Sequence, residues 1–213
     1  MTAAPVAPVL VSISEAAAVD GDGWWPVAAR YDSPFIDQRP DPADITLLVI
    51  HNIGLPGGRS GGPHVSDLFT GRLDYNTDPS LADLRGLRVS SHFFIRRNGR
   101  VVQYAPAGAR AWHAGVSKFR ERVKCNDFSI GIELEGNDYT PFEPAQYAAL
   151  AALTCALLAR YPISDIQGHE HVAPGRKTDP GAFFDWLKYA DCSPSLVLAN
   201  PGLRVVKGLP QSQ

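Results

Sequence analysis

The segment Gly168–Gly181, GHEHVAPGRKTDPG, holds side chains that could bind a metal ion or move a proton. It places His169 and Asp179 ten residues apart, with Lys177 between them. A catalytic zinc ion takes three protein ligands from histidine and carboxylate and leaves a fourth position for water. His51, which directly follows a buried-strand pattern, would complete a two-histidine, one-carboxylate set. These residue types therefore favour metal-dependent hydrolysis.

The same residues also have ordinary structural interpretations. The chain has six histidines, and a lone histidine is more often a surface or core residue than a ligand. Asp179, followed by proline and an apolar run, predicts a helix N-cap. His171 should point away from His169 if that piece is extended, so we do not expect both to bind one ion. His51 lies too far upstream for spacing alone to identify a site.

The strand-like segment Phe128–Gly136, FSIGIELEG, supplies a candidate proton carrier. The face of this strand opposite its apolar side ends in two glutamates and should meet water, a cation or a functional site. Glu133 could be a solvated carboxylate, or the general base that takes a proton from water at a metal. Lys177 could be a surface charge, or a cation that stabilises a developing oxyanion. The apolar face of the strand is predicted to consist of Phe128, Ile130, Ile132 and Leu134.

Cys125 offers a rival chemistry, in which it acts as a nucleophile and His113 as its base. No activated-cysteine signature surrounds Cys125, and a buried, inert thiol is the common fate of a free cysteine. The cysteine hydrolase is therefore a minor alternative to the metal hydrolase.

The elements that must hold these residues can be read from periodicity. Ile45–Ile50 is a continuous aliphatic run that predicts a buried strand, and His51 follows it. Val89–Pro106 predicts two strands joined at Asn98-Gly99, a strong hairpin signal. Strands and helices alternate without a strict rhythm. We expect an α/β fold of the α+β type: a single domain with a central mixed sheet covered by helices.

The clearest helix should begin with Thr140 as N-cap and Pro141 at the first position, and end before Pro162. Short helices are expected around Val65–Phe69 and Pro79–Leu84. A last helix should start at Asp179-Pro180, with its inward face formed by Phe183, Trp186, Leu187 and Ala190.

Charge and cysteine usage narrow the class of protein. The 213 residues carry a formal net charge of −2, which gives no basic footprint for nucleic acid or an anionic membrane. The three cysteines show no metal or disulfide spacing, which favours a reducing compartment, and we find no export signal. We expect a flexible extension over residues 1–22, one catalytic domain over 23–191 and a peripheral tail over 192–213.

Seven segments carry a resemblance to a known family. They are SPFIDQRP, LLVIHNIGLPGG, GGPHVSDLFTG, LRVSSHFFIRRNGRVVQY, RAWHAGVS, CNDFSIGIELEG and GHEHVAPGRKTDPG. In this order and spacing they resemble the AmpD family of 1,6-anhydro-N-acetylmuramoyl-L-alanine amidases. More distantly, the pattern is similar to the amidase-2 and peptidoglycan-recognition-protein fold.

The resemblance implies a zinc enzyme of cell-wall recycling, a cytoplasmic monomer that acts on anhydro-muropeptides. Lys124 stands where the family commonly has arginine, and lysine lacks the fork that grips a peptide carboxylate. His171 matches no ligand position. The residues carried over are the zinc ligands His51, His169 and Asp179, the catalytic Glu133, the transition-state stabiliser Lys177, and the substrate-groove residues Asn52, Arg88 and Trp112.

A second hypothesis comes from a different class: a non-catalytic peptidoglycan-binding module. Recognition proteins of this fold often lack a zinc ligand, whereas this chain keeps all three candidates together with Glu133 and Lys177. The sequence therefore favours an enzyme over a binding module.

Overall fold

The computed structural model describes residues 18–191 and 204–205, and a mixed β-sheet lies at its centre. Most of the predicted extension and tail therefore lies outside the described residues. In the described part, the strands are β1 Ala29–Arg30, β2 Ile36–Asp37, β3 Leu47–Ile53, β4 Phe93–Ile95, β5 Val101–Gln103, β6 Arg110–Ala111, β7 Lys118–Phe119, β8 Arg122–Val123, β9 Ser129–Glu135, β10 Asp165–Gly168 and β11 Arg204–Val205.

The described helices are short, apart from the one that covers the sheet. They are α1 His64–Phe69, α2 Pro144–Leu158, α3 His169–Val172 and α4 Trp186–Asp191. The described residues also include two 3₁₀ helices, Pro79–Leu84 and Cys125–Asp127. The short helices expected near Val65 and Pro79 are thus present.

The central sheet has the strand order β1-β5-β4-β9-β3-β10-β11 among the described residues. All neighbouring pairs are parallel except β4 and β5, which form the predicted antiparallel hairpin. Gly99 turns this hairpin at φ +81, and a Cβ there would lie 2.8 Å from the Ala145 carbonyl oxygen. The mixed sheet with helices matches the predicted fold class.

The two faces of the sheet bury different partners. On one face, Ile50 of β3 and Ile132 of β9 pack against α2 and α4 in the main core. Val19 also joins this core. On the other face, Leu47 and Val49 contact the segment that contains Cys125. Successive side chains of a strand alternate between faces, so His51 lies on this second face with Val49.

Helix α2 begins three residues later than Thr140 predicts. Pro144 occupies the first position, and the Glu143 N–H donates to the Gln146 side-chain oxygen at 3.0 Å. The Gln146 amide also donates to the carbonyls of Ile95 and Glu135, at 3.2 and 3.1 Å. The start of the helix is thus set by the local Glu143–Gln146 capping box together with the attachment of Gln146 to the sheet.

The last helix also corrects the prediction, because Asp179 does not cap it. Helix α4 starts at Trp186, and Asp185 caps it by accepting from the Lys188 N–H at 2.9 Å. The predicted inward residues Phe183 and Leu187 are 46% and 66% exposed. Phe184 and Tyr189 are buried in their place. The prediction that Phe128 shares a face with Ile130, Ile132 and Leu134 is also wrong. Phe128 packs on the second face of the sheet with Leu47 and Val49.

Candidate functional site

Three parallel strands end where the candidate residues meet. His51 on β3 and Glu133 on β9 are register partners, so their side chains lie on the same face of the sheet. Strand β10 pairs with β3 from the other side, and His169 is the first residue after its end. The carboxyl ends of parallel strands form a shared edge, where binding groups of α/β sheets collect.

His51, His169 and Asp179 form a compact cluster at this edge. Each offers one ligand atom, and these atoms lie within 4.8 Å of one another. His51 Nδ1 is 2.9 Å from His169 Nδ1, and Asp179 Oδ2 is 3.0 Å from both nitrogens. In the described residues, this is the group of histidine, cysteine and carboxylate side chains arranged to hold a metal ion.

The charges in the cluster suit a divalent cation. Burial lowers the pKa of His51 to about 4, and the neighbouring His169 acts in the same direction. Burial works to raise the pKa of Asp179, but the close polar contacts of its carboxylate with His169 and His51 outweigh it and hold the pKa well below its usual range. At neutral pH the cluster therefore presents a neutral imidazole of His51 and an anionic carboxylate. Imidazole nitrogen and carboxylate oxygen are the ligands of catalytic zinc.

The Nε2 atom of His169, which points away from the cluster, forms a hydrogen bond with the backbone. The Ala114 carbonyl oxygen can only accept, so His169 Nε2 donates to it at 3.1 Å. Arg176 Nη2 donates to the same oxygen at 2.6 Å and lies 3.3 Å from His169 Nε2. A neutral imidazole has one N–H, so the bond to Ala114 leaves the Nδ1 lone pair directed at the cluster. Metal-bound histidines usually donate their other N–H in this way.

Glu133 is a buried carboxylate with an unused oxygen. It is 8% exposed, and its Oε2 atom has no hydrogen-bond partner among the described residues. Burial raises the pKa of Glu133 well above its usual value; the charge of Asp179 raises it further, and Lys177 lowers it only in part. Such an atom, next to a candidate metal site, is suited to take and return a proton.

A cleft of about 450 Å³ opens beside the cluster, between the end of β9 and the loop that precedes Asp179. Lys177 is exposed on its wall, next to Arg176. Asn52 also lines the cleft, and its amide donates to Asp138 Oδ1 at 2.7 Å and to the Pro180 carbonyl at 3.1 Å. The walls thus offer two cations, two carboxylates, of Asp138 and Asp179, and the amides of Asn52 and Asn137.

The other residues carried over from the family resemblance lie outside this cleft lining, within the part of the chain that the structure describes. Arg88 is exposed in the segment before β4, and Lys124 is exposed at φ +59 before a 3₁₀ helix. Trp112 is half-buried, with its ring 6.3 Å from that of Phe35. Their roles in substrate binding stay predictions.

His113 is the site residue that sequence reasoning placed in the wrong context. His113 Nδ1 lies 3.0 Å from His51 Nε2. His113 is therefore a neighbour of the metal cluster and not the base of a cysteine nucleophile. A sequence signal for it existed in Gly131, because glycine inside a strand often marks a close approach. A Cβ at Gly131 would lie 2.5 Å from the His113 ring.

Cys125 has no access to a substrate. Its side chain is 0% exposed, and burial raises the pKa of its thiol, which keeps it protonated. A buried thiol with a raised pKa is a poor nucleophile. The structure therefore disfavours the cysteine hydrolase.

His171 takes no part in the cluster, as expected, although the local geometry differs from the prediction. The segment is helical and not extended, since α3 spans His169–Val172. His171 Nδ1 accepts from the Gly168 N–H at 2.9 Å, so it supports the turn that carries His169.

Comparison with known proteins identifies close relatives. Residues 41–182 match the family described as N-acetylmuramoyl-L-alanine amidase, Amidase_2. The 1,6-anhydro-N-acetylmuramyl-L-alanine amidase AmpD of Citrobacter freundii is 53% identical over 170 residues, covering 79% of this chain and 91% of that protein.

Solved structures agree in fold. A crystal structure of a selenomethionine AmpD derivative superposes with a TM-score of 0.79 at 52% identity, covering 81% of this chain and 97% of that one. AmiD from E. coli, in complex with the substrate anhydro-N-acetylmuramic acid-L-Ala-D-γ-Glu-L-Lys, gives a TM-score of 0.52 at 32% identity, covering 74% and 65%. None of the helices described in this chain has the length and apolarity to cross a membrane.

Proposed function

The chain belongs to the N-acetylmuramoyl-L-alanine amidase family, and on that premise we propose that it is a zinc-dependent enzyme of cell-wall recycling. Its reaction is hydrolysis of the amide bond between 1,6-anhydro-N-acetylmuramic acid and the L-alanine of a stem peptide. The observation that carries the proposal is the convergence of His51, His169 and Asp179 beside the buried carboxylate of Glu133.

His51, His169 and Asp179 would hold the zinc ion. When bound, zinc supplies Lewis-acid chemistry, polarising a carbonyl and making water a stronger acid. The fit rests on the donor set, on the neutral form of His51 and on the Glu133 oxygen that lacks a partner.

Glu133 acts as the proton carrier. It removes a proton from the attacking water, whose oxygen forms a bond to the amide carbon. It then gives that proton to the L-alanine nitrogen as the carbon–nitrogen bond breaks, so the carboxylate is regenerated. Its position on β9, level with His51 on β3, supports this role.

Lys177 stabilises the negative charge that develops on the former carbonyl oxygen. Lys177 lines the cleft that Asp179 also lines, and within the described residues it forms no ion pair with a carboxylate. A cation aimed at a developing oxyanion lowers the barrier because the charge appears only in the transition state.

The cleft lies beside the candidate metal cluster, so we assign it to the peptide part of the substrate. Relatives with the same fold bind anhydro-muropeptides, and we propose the same substrate class here. Arg176 and Lys177 supply positive charge, and we assign Asn52, Arg88, Trp112 and Lys124 to substrate contacts on the strength of the family positions they match.

We propose that the active form is a cytoplasmic monomer without nucleic-acid or membrane partners. The free thiols of Cys125 and Cys155 suit a reducing compartment. The catalytic domain is proposed to span residues 23–191, with the packing of Val19 extending its core slightly upstream.

Zinc content tests the ligand assignment. Purified protein should contain about one zinc ion per chain, because three ligands define one site. Asp179→Ala and His51→Ala should lose most of this zinc, as measured by elemental analysis of the folded proteins. His64→Ala is the matched control, since His64 is half-buried at the start of α1, outside the cluster. Full zinc content in both ligand variants would contradict the assignment.

A further inference from the structure

A line of polar contacts runs from the backbone at Cys125 to His51. Ser129 Oγ donates to the Cys125 carbonyl oxygen at 2.6 Å. Ser129 Oγ also lies 3.2 Å from His113 Nε2, and His113 Nδ1 lies 3.0 Å from His51 Nε2. His51 Nδ1 then faces His169 and Asp179. No candidate metal ligand other than His51 belongs to this line.

The direction of each hydrogen bond follows from the first. A carbonyl oxygen can only accept, so the single Ser129 hydrogen is directed at Cys125. The Ser129 oxygen must then accept from His113 Nε2–H. A neutral imidazole carries one N–H, so His113 Nδ1 is an acceptor and takes the hydrogen of His51 Nε2. His51 therefore keeps its Nδ1 lone pair free.

We propose that Ser129 and His113 are positioning residues that fix the tautomer of His51 and so prepare its Nδ1 atom to bind the metal. The proposal rests on the zinc site proposed above and deepens it. The effect is indirect. His113 contacts the Nε2 atom of His51, not the Nδ1 atom that faces the metal cluster, and Ser129 acts through His113. Without a fixed tautomer, part of the His51 population would present Nδ1–H to the cluster, and the metal would have to displace that proton.

The two adjacent residues His113 and Ala114 orient both histidine ligands. His113 accepts from His51, and the next residue, Ala114, accepts from His169 Nε2 at 3.1 Å. Two adjacent residues thus direct two Nδ1 lone pairs at one point. Without a cation there, the lone pairs 2.9 Å apart would repel each other.

The fold makes room for this arrangement. Gly131, on the strand that carries Ser129 and Glu133, lies directly under the His113 ring. The nearest ring atom would be 2.5 Å from a Cβ at that position, so any side chain would displace the ring. The absence of a side chain at Gly131 therefore permits the His113–His51 contact.

The deciding experiment compares two buried serines. Ser129→Ala removes the hydroxyl that orients His113, whereas Ser90→Ala removes a buried hydroxyl that donates to the Ser91 carbonyl at 3.2 Å. We expect Ser129→Ala to weaken zinc binding about tenfold, within the range measured for outer-shell partners of metal ligands. Ser90→Ala should leave the zinc Kd unchanged. Competition titration with a chromophoric chelator measures both, and thermal unfolding of the metal-free proteins checks that they fold.

The outcomes separate the two proposals. If wild-type protein binds no zinc, the proposed function fails and the positioning role of Ser129 and His113 fails with it. If wild type binds zinc and Ser129→Ala matches Ser90→Ala in zinc Kd, only the positioning role is overturned.

A conservative replacement of His113 gives a second, independent test. In Asn, the side-chain oxygen can accept near the place of His113 Nδ1, whereas Leu has no acceptor. Zinc affinity should fall about 10- to 100-fold in His113→Leu and recover in part in His113→Asn. Equal losses in the two variants would show a packing role and overturn the proposal.

The tautomer itself is visible by NMR without any substitution. In zinc-loaded protein with ¹⁵N-labelled histidine, His113 should carry its proton on Nε2. A proton on His113 Nδ1 would reverse the line of hydrogen bonds and overturn the proposal.

Discussion

Glu133 is a carboxylate whose Oε2 atom has no hydrogen-bond partner among the residues that the structure describes. Burying a charged group is costly unless it is paired, so the side chain favours the protonated form in the absence of a neighbouring cation. Burial and the charge of Asp179 both raise the pKa of Glu133. A group that stabilises the fold alone would be hydrogen-bonded or replaced by an apolar side chain. The isolation of Oε2 therefore agrees with a chemical role.

Replacing this carboxylate by an amide of the same shape should stop the reaction and leave the metal in place. Glu133→Gln cannot take a proton, so kcat should fall about 10²- to 10⁴-fold, the contribution typical of general acid–base catalysis. Zinc content should equal that of wild type, because Glu133 is not in the metal-binding cluster. Steady-state kinetics and elemental analysis on the same preparation check both. A variant with near-native kcat would remove Glu133 as the proton carrier.

Sequence reasoning worked at single residues where one pattern dominated, and failed where two roles competed. For Asp179, local sequence predicts both a helix cap and a metal ligand, and local rules favour the cap. The structure gives the cap to Asp185 and turns Asp179 toward His51. The contact between His113 and His51 could not be predicted from sequence, because the two residues are 62 positions apart in the chain.

At the scale of elements, strands were more predictable than helix ends. The aliphatic run before His51 and the Asn98-Gly99 turn are local signals, and both correspond to observed elements, β3 and the β4–β5 hairpin. The start of α2 depends on hydrogen bonds from Gln146 to β9, which precedes the helix, and to β4, which is 51 residues away in the chain. Helix boundaries fixed by tertiary contacts of this kind are not present in the local pattern.

His92 links β9 to the segment that contains Ala109, and its buried imidazole predicts how the stability of the fold depends on pH. Its Nδ1 accepts from the Gly131 N–H of β9 at 3.0 Å, and its Nε2 donates to the Ala109 carbonyl at 3.0 Å. Burial, together with the charge of Arg39, lowers the pKa of His92 to about 3 from 6.5. Between these values the unfolded chain binds a proton that the folded chain does not. His92 therefore destabilises the fold progressively as pH falls below 6.5.

His92→Gln should remove this dependence. The variant should lose about 1–3 kcal/mol of stability at pH 7, because buried backbone groups lose good partners. Its free energy of unfolding should then vary less steeply than that of wild type between pH 6.5 and 5, by up to about 1.4 kcal/mol per pH unit. Urea unfolding of the metal-free proteins measures both slopes. Parallel curves for the two proteins would contradict the neutral, buried state of His92.

For the whole molecule, composition and motifs indicated a mixed sheet with helices, but they could not give the strand order. The neighbours β9 and β3 are separated by β4 to β8 along the chain, and their pairing brings Glu133 level with His51. Such long-range pairing follows from packing of the entire core, not from any segment. The site exists only when that order is established, because its residues come from β3, β9, the start of α3 and a distant loop.

The most direct measurement is mass spectrometry of an anhydro-N-acetylmuramyl peptide incubated with the protein. We predict free stem peptide and anhydro-N-acetylmuramic acid as products, loss of this activity on complete zinc removal, and its return when zinc is restored. Cys125→Ser should keep the activity, because the buried thiol takes no part. Unchanged substrate with zinc-loaded protein that still binds it would identify a binding module. Full turnover by zinc-free protein would contradict the metal mechanism.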